Sequence, residues 1–541
     1  MLYKATARIS LLAGFCAAVI CVIAAGCSRE HYKSEADDEV YKIINNKWQK
    51  DFGKKANYKV SDVPASPNDV EAEAVTSGII SLSDAVARAT ASNRDYQKQK
   101  ESLYLTALDL TLARHQFARQ WFGTIDASYN KGNDVISGEN FETANSDAQV
   151  GFNQLLADGG VISANIAMDW ARFLTGDPRT TLGSVLTASF TQPLLRGAGR
   201  EIAQENLTQA ERDVLYQIRS FNRFRQSFAV SIISDYYFVL QQRDAVTNAE
   251  NNYKRVAESA ARMAMEAEAG RRNRFEVDQA EQNVLNSKND YIRAVERYEQ
   301  QLDEFKIRLS LPTDANVILD QNELRALEAM GVSEPNYMVE AAIETAMVSR
   351  LDLANSFDGV DDAVRKVKVA ANGLGADLNL VGSAAVNSTE RTEFERLQFH
   401  KGDYSFGVEA DLPLDRKAER NIYRESLILL QQRQREYDNS VDEVKLDVRQ
   451  AYRQLQESAE RYKIQKNSTE LAAKRVESTS LLLEAGRLTA RDLLDAQTAL
   501  LQAQNGLTAA LVDHTIAKMS FFRDVGILQV RPDGMWEEQG L

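Results

Sequence analysis

Residues Glu484–Val525 read EAGRLTARDLLDAQTALLQAQNGLTAALVDHTIAKMSFFRDV. Apolar residues return at seven-residue spacing, at Leu493, Leu500 and Leu507 and then, two periods on, at Phe521, and Leu511 and Val525 follow four residues after Leu507 and Phe521. That period predicts a helix lying along another helix. Glu268–Leu309, EAGRRNRFEVDQAEQNVLNSKNDYIRAVERYEQQLDEFKIRL, carries the same pattern 216 places earlier. Val277, Val284, Tyr291, Tyr298 and Phe305 hold its seven-residue positions, and Gly270 aligns with Gly486, Ala280 with Ala496 and Asn289 with Asn505. A register kept over such a length predicts two copies of one large unit.

The composition agrees with long helices. The 541 residues include only 8 prolines and 27 glycines, and Ala, Leu, Gln, Glu, Lys and Arg are plentiful. A net charge of −14 argues against a nucleic-acid partner, whose phosphates would be repelled. Four scattered histidines, His31, His115, His400 and His514, make no metal spacing, and no phosphate loop or nucleophile motif occurs. The sequence calls for no cofactor, no metal and no catalytic residue.

The N-terminus reads as a targeting segment. Lys4 and Arg8 precede an apolar run from Ile9 to Ala25, and Ala24-Ala25-Gly26 stand before Cys27. This resembles a bacterial lipoprotein signal, which implies lipidation of Cys27; an ordinary cleaved signal or an inner-membrane anchor is the other reading. The lipoprotein pattern usually has Leu where Ala24 stands, and by the same resemblance Ser28 favours the outer membrane. Cys16 and Cys21 lie inside the signal, so no disulfide framework remains. From Arg29 to about Ser77 the chain is polar and mixed, and an extended strap with at most a short helix is expected.

Ser81 or Ser83 caps a helix over Leu82, Ala85, Val86 and Ala89, which breaks at Asn93–Tyr96 before a second helix to about Gln120. A similar pair is expected from about Tyr337 to Val348 and on to about Ala371, broken at Arg350-Leu351-Asp352. From Trp121 the apolar period changes to two. Strands are expected around Trp121–Asn130, Ala148–Leu156, Val161–Trp170 and Gly183–Gln192, and again over Asp377–Val386 and Tyr404–Leu412. Each of the last two has one apolar and one polar face, which suits a sandwich edge or a membrane barrel with a wet lumen equally well. Pro193 and Pro413 end the two sets, and helices with neither Pro nor Gly follow, from about Arg200 to Glu268 and from about Lys417 to Glu484. At ~1.5 Å per residue each spans roughly 100 Å.

The expected organisation is a signal at 1–26, a strap at 27–78, a first repeat at 79–312, a connecting segment at 313–336, a second repeat at 337–528 and a tail at 529–541. Within the repeats, strands fall near 121–192 and 376–412 and hairpin tips at 269–271 and 485–487.

The stretches Ser81–Tyr96, Gln192–Arg200, Ala269-Gly270-Arg271, Leu412-Pro413-Leu414 and Ala485–Asn505, in this order, resemble the outer-membrane efflux protein family, the TolC-like channels of Gram-negative export systems. The resemblance implies a mainly α fold with a β-barrel part: a homotrimer sharing one outer-membrane barrel, continued as an α-helical coiled-coil tunnel across the periplasm. It implies a passive conduit serving a tripartite efflux pump or a type I secretion system, with a periplasmic adaptor and an inner-membrane pump as partners and outer-membrane lipid around it. It places Ala269, Gly270, Arg271, Ala485, Gly486, Arg487 and Thr489 at a periplasmic tip that meets the adaptor. The family typically has two barrel strands per half. The four alternating segments of the first half are therefore either two broken strands or an extra hairpin.

Charges near the tips, among them Glu484, Arg487 and Asp492, are either solvated helix ends or pairs that hold the tip shut across protomers. In the second case Arg487→Ala or Asp492→Ala raises single-channel conductance. Asp377, Glu409 and Asp411 face the lumen if the apolar faces meet lipid, which predicts cation preference; exposure at the barrel rim is the alternative. Trp121, Tyr129 and Trp170 are an interfacial aromatic belt or are packed where strands meet helices. The competing function is a periplasmic coiled-coil structural or adaptor lipoprotein without a pore. It has no need of two-faced strands.

Overall fold

The computed structural model describes residues 28–49, 52–55, 57–60, 78–133, 140–173, 180–332, 338–389, 393–531 and 536–538. Cys27, Pro178 and the proline-bearing part of the strap lie outside them. In chain order the elements are α1 (Arg29–Lys47), β1 (Ile79–Ile80), α2 (Leu82–Ser92), α3 (Arg94–His115), β2 (Gln120–Asn133), β3 (Asn140–Leu155), β4 (Val161–Phe173) and β5 (Thr180–Pro193). Then come α4 (Arg200–Ala203), α5 (Glu205–Glu268), α6 (Arg274–Arg308), β6 (Ile318–Leu319), α7 (Asn322–Met330), α8 (Val339–Ser349) and α9 (Leu351–Asn372). The last group is β7 (Asp377–Thr389), β8 (Glu393–Leu397), β9 (Asp403–Asp411), α10 (Lys417–Glu484), α11 (Ala490–Val525), β10 (Leu528–Val530) and β11 (Trp536–Glu538). No helix among the described residues is long and apolar enough to cross a membrane.

Two long hairpins dominate. α5 has 64 residues and returns as the 35 of α6; α10 has 68 and returns as the 36 of α11. α11 lies between α10 and α5, and its periodic residues Leu493, Leu500, Leu511, Phe521 and Val525 are buried. α6 is different. It buries only Ala280, Ser287, Phe305 and Lys306, and Phe275, Leu285 and Ile292 stand more than half exposed. Its Val277, Val284 and Tyr291 are partly covered, so the first hairpin keeps an open side.

The core sits where α2, α3, α8 and α9 cover the hairpins. Tyr96, Phe221, Tyr236, Phe305, Phe521 and Phe522 are fully enclosed there. Tyr96 packs on Phe228 at 5.1 Å and Tyr236 on Phe305 at 6.0 Å between ring centres. Burying each such ring contributes about 1.5–3 kcal/mol. The caps match the sequence reading. Ser81 accepts from the amide of Asp84, and Asn93 accepts from those of Asp95 and Tyr96. Arg350, at the corresponding break, pairs with Asp352 at 2.6 Å and Asp447 at 2.9 Å.

The strap departs from the expectation. α1 is a full 19-residue helix capped by Ser28. Val40, Ile43 and Ile44 form its buried face, an i, i+3, i+4 pattern that a polar composition hides. A smaller departure is the break at Gln204, which separates the four residues of α4 from α5.

His514 is a packed side chain, 4% exposed, with Nδ1 3.2 Å from the Ser458 hydroxyl. Burial, helped by nearby Lys518, holds its imidazole down at about 4. The unfolded imidazole takes its proton near 6.5, so stability falls as pH drops from there to about 4 and is level below. Going from pH 7 to pH 5 costs about 2 kcal/mol from this residue. Thermal unfolding at the two pH values checks it, with His514→Gln expected to remove that part of the loss.

Candidate functional site: a two-faced sheet and two helical turns

The six long strands form one antiparallel sheet in the order β2-β3-β4-β5-β7-β9, with β8 pairing the end of β7. Pro193 is the last residue of β5, and Pro413 follows β9, where each chain leaves the ladder. The first half thus has four separate strands of 13–16 residues. The β3–β4 connection is a turn at Asp158-Gly159, and Gly159 has φ +94°. The Gly199 amide donates to the Asp158 carbonyl at 3.1 Å, which ties this hairpin to the start of α4.

Residues opposite each other in a ladder share a face, so the register sorts every side chain. One face carries Trp121, Ile125 and Tyr129 of β2, Val150 and Phe152 of β3, Ile166 and Trp170 of β4, Leu186 of β5, Leu380 of β7 and Phe406 and Val408 of β9. Much of it is open: Trp121 is 67% exposed and Phe406 78%. The other face is polar. Across its middle, Gln120, Asn153, Ser163, Ser189, Ser383 and Ser405 stand in one row, with hydroxyl contacts of 2.7 Å between Ser163 and Ser189 and between Ser383 and Ser405.

The polar face is also acidic. Asp377 lies opposite Asp411, and Glu409 lies opposite Asn379 on the same side. The register therefore places Asp377, Glu409 and Asp411 on one face of the sheet. Arg196 reaches Asp377 at 3.5 Å and Glu419 at 4.0 Å, so charge at this end is partly offset. A second row escaped the sequence reading: Asp126, Asp147 and Asp169 stand side by side on β2, β3 and β4. The six long strands place no lysine or arginine on this face among the described residues. Lys131 and Glu142, ion-paired at 2.7 Å, lie on the apolar side near the strand ends.

The two helical turns are built alike. Gly270 has φ +72° and Gly486 φ +69°, values only glycine adopts freely. The Arg271 amide donates to Glu266 and the Arg487 amide to Leu482, both at 2.9 Å, closing the last turn of α5 and α10. Ala269 and Ala485 are the C-caps of these helices. Thr489 and Asp492 form a reciprocal capping box that starts α11. Asp492 is therefore engaged within its own helix, and the Thr489 amide and hydroxyl hold its carboxyl below the usual range. Glu484 and Arg487 are exposed and have no side-chain partner among the described residues. The contact joining the two turns comes from Arg272. It pairs with Glu266 and, at 3.1 Å, with Glu276, and donates to the Leu483 carbonyl at 3.3 Å. Beneath it Met263, Ala280, Leu483, Ala490 and Leu493 make a small separate core.

The chain thus joins a two-faced antiparallel sheet to roughly 100 Å helical hairpins. Residues 342–520 carry an outer membrane efflux protein domain, matching the family model of that description. The fold is that of solved channels. The Campylobacter jejuni CmeC outer membrane channel matches with a TM-score of 0.60 at 13% identity, over 82% of this chain and 85% of that one. The open state of the Neisseria gonorrhoeae MtrE outer membrane channel matches with 0.59 at 13%, over 86% and 93%. The Vibrio cholerae outer membrane protein VceC matches with 0.57 at 12%, over 82% and 96%. No curated protein matches the sequence.

Proposed function

We propose that the protein is the outer-membrane channel of a tripartite efflux pump or type I secretion system, a passive conduit for cargo delivered from the inner-membrane side. The observation that carries this reading is the partition of the six-stranded sheet, apolar on one side and acidic on the other. Large exposed apolar faces need an apolar solvent, and lipid supplies one where water fills the other side. Trp121 and Tyr129, both on the apolar face, are eight residues apart, roughly 26 Å along the strand, a spacing that suits the two aromatic girdles of a membrane barrel. Trp170 shares their face.

On this reading the chain is a duplicated unit working as a homotrimer, and the open side of α6 receives a neighbouring copy. Cys27 carries the lipid anchor in the outer leaflet's periplasmic counterpart. The turns at 269–271 and 485–487, with Thr489, point into the periplasm toward an adaptor protein and an inner-membrane pump. Glu484 and Arg487 are free to pair across copies, and Arg272 fastens the two turns within one copy. Arg272→Ala is expected to raise mean single-channel conductance at least about twofold by releasing the second turn, because it removes the charge-assisted bond to the Leu483 carbonyl that joins the turns and strands the carboxylates of Glu266 and Glu276. Planar-bilayer recording checks it, and an unchanged conductance removes Arg272 from the gate. The location itself is tested by fractionation: heat-modifiable trimers in outer membranes are expected, and a monomer in the soluble periplasmic fraction would overturn the proposal.

A further inference from the structure

We infer that each copy contributes all six long strands to the membrane wall, so that three copies close an eighteen-stranded barrel in which β9 of one copy pairs with β2 of the next. The inference rests on the trimeric-channel reading and specifies the wall that reading leaves open.

The sheet has two free edges, β2 and β9. The side chains of both are largely exposed, whereas those of β5 and β7 are mostly half-covered. In lipid, a row of unpaired backbone groups costs several kcal/mol per group, so open edges do not persist there. Six is an even number: β2 and β9 run in opposite directions, and joining them is antiparallel like every other long pair in the sheet. The faces also continue across the joint. Trp121 and Ile125 come beside Phe406 and Val408 toward lipid, and Thr124 and Asp126 beside Ser405 and Gly407 toward water.

The stagger of the sheet fits closure. The row that starts at Gln120, the first residue of β2, ends at Ser405, six residues before Asp411, the last residue of β9. If both strand ends sit at the helix boundary, Asp411 meets Gln120 of the next copy, and Gly407 then meets Thr124. A six-residue stagger over six strands corresponds to a strand tilt of about 35° at ~3.3 Å rise and ~4.8 Å strand spacing, within the range of closed barrels. Eighteen strands at that tilt give a backbone diameter of roughly 34 Å, against roughly 23 Å for twelve. The β3–β4 hairpin belongs to this wall because it is laddered on both sides and its turn is bonded to Gly199.

The test is cross-linking in the full-length protein in outer membranes. Thr124→Cys is combined in turn with Ser405→Cys, Gly407→Cys and Glu409→Cys, and folding of each variant is verified by its heat-modifiable trimer. Most of the monomer band is expected to move to covalent dimers and trimers, strongest for the Gly407 pair. Folded trimers that give no cross-link at any of the three positions overturn the inference while leaving the channel reading standing. A wild-type protein that forms no trimer overturns both. Strand counting in a cryo-electron map of the wild-type trimer is the independent measurement: eighteen supports the inference and twelve overturns it.

Discussion

Asp362→Ala is expected to destabilise the helical body by about 1–3 kcal/mol, the cost of leaving buried donors without their acceptor. Asp362 is 6% exposed. It accepts from Arg212, from Arg365 at 2.8 Å, from the Tyr216 hydroxyl at 2.7 Å and from Gln209 at 3.2 Å. Arg212, Tyr216 and Gln209 lie on α5, so this carboxylate clamps α9 onto the start of the first long helix. The substitution leaves the Tyr216 hydroxyl without this acceptor and takes one anion each from Arg212 and Arg365, which keep Asp358 at 3.4 Å and Glu205 at 3.0 Å. Desolvation pushes the Asp362 carboxyl up, but the bonds from Tyr216, Arg365 and Gln209 and the charge of Arg212 outweigh it, and the net direction is down. A lowered folded value means that the stabilisation is present above the unfolded carboxyl's value near 4 and is lost as pH falls through the folded one. Chemical unfolding at pH 7 reads the loss directly, and the gap between wild type and Asp362→Ala should close below about pH 4. A variant as stable as wild type at pH 7 would show that the network is idle.

If the proposed channel reading holds, charge removal at the second acidic row changes what passes through the bore. Asp126, Asp147 and Asp169 lie on adjacent strands about 4.8 Å apart, closer than the ~10 Å Debye length at 0.1 M salt. An ion passing ~10 Å from one unit charge in water gains about 0.4 kcal/mol, so three carboxylates in a row favour cations severalfold before screening. The triple substitution Asp126→Asn, Asp147→Asn, Asp169→Asn is expected to lower the potassium-to-chloride permeability ratio at least about threefold, and more at lower salt. Asp377→Asn with Asp411→Asn should change it less, because Arg196 already stands beside Asp377. Reversal potentials across a tenfold salt gradient check both. A wild-type preference for anions would place the acidic face outside the conducting path.

Much of this fold is legible in the chain because its signals are local. Gly270 and Gly486 mark the hairpin turns because each is followed by a new seven-residue period, and both do adopt positive φ. Pro193 and Pro413 mark the strand ends because proline cannot donate to a ladder. The four alternating segments of the first half are visible as segments, but whether they are two strands or four depends on pairing. What remains hidden is whatever depends on register or on distant partners. The row of Asp126, Asp147 and Asp169 exists only once β2, β3 and β4 are aligned. Arg272 reaches Leu483 from 211 residues away, and nothing near either residue announces it. Asp492 was open to a gating role by its position, yet the Thr489 three residues before it, a capping-box spacing, gives it a local partner. The α1 helix was obscured because three buried apolar residues are outweighed by the polar majority around them.

The central claim is that copies of this chain enclose a continuous water-filled bore. Conductance of the purified, detergent-extracted protein in a planar bilayer tests it most directly. Discrete, long-lived unit steps that appear only with the trimeric fraction are the predicted result. A homogeneous trimer that inserts and adds no conductance, with Arg272→Ala as silent as wild type, would contradict it.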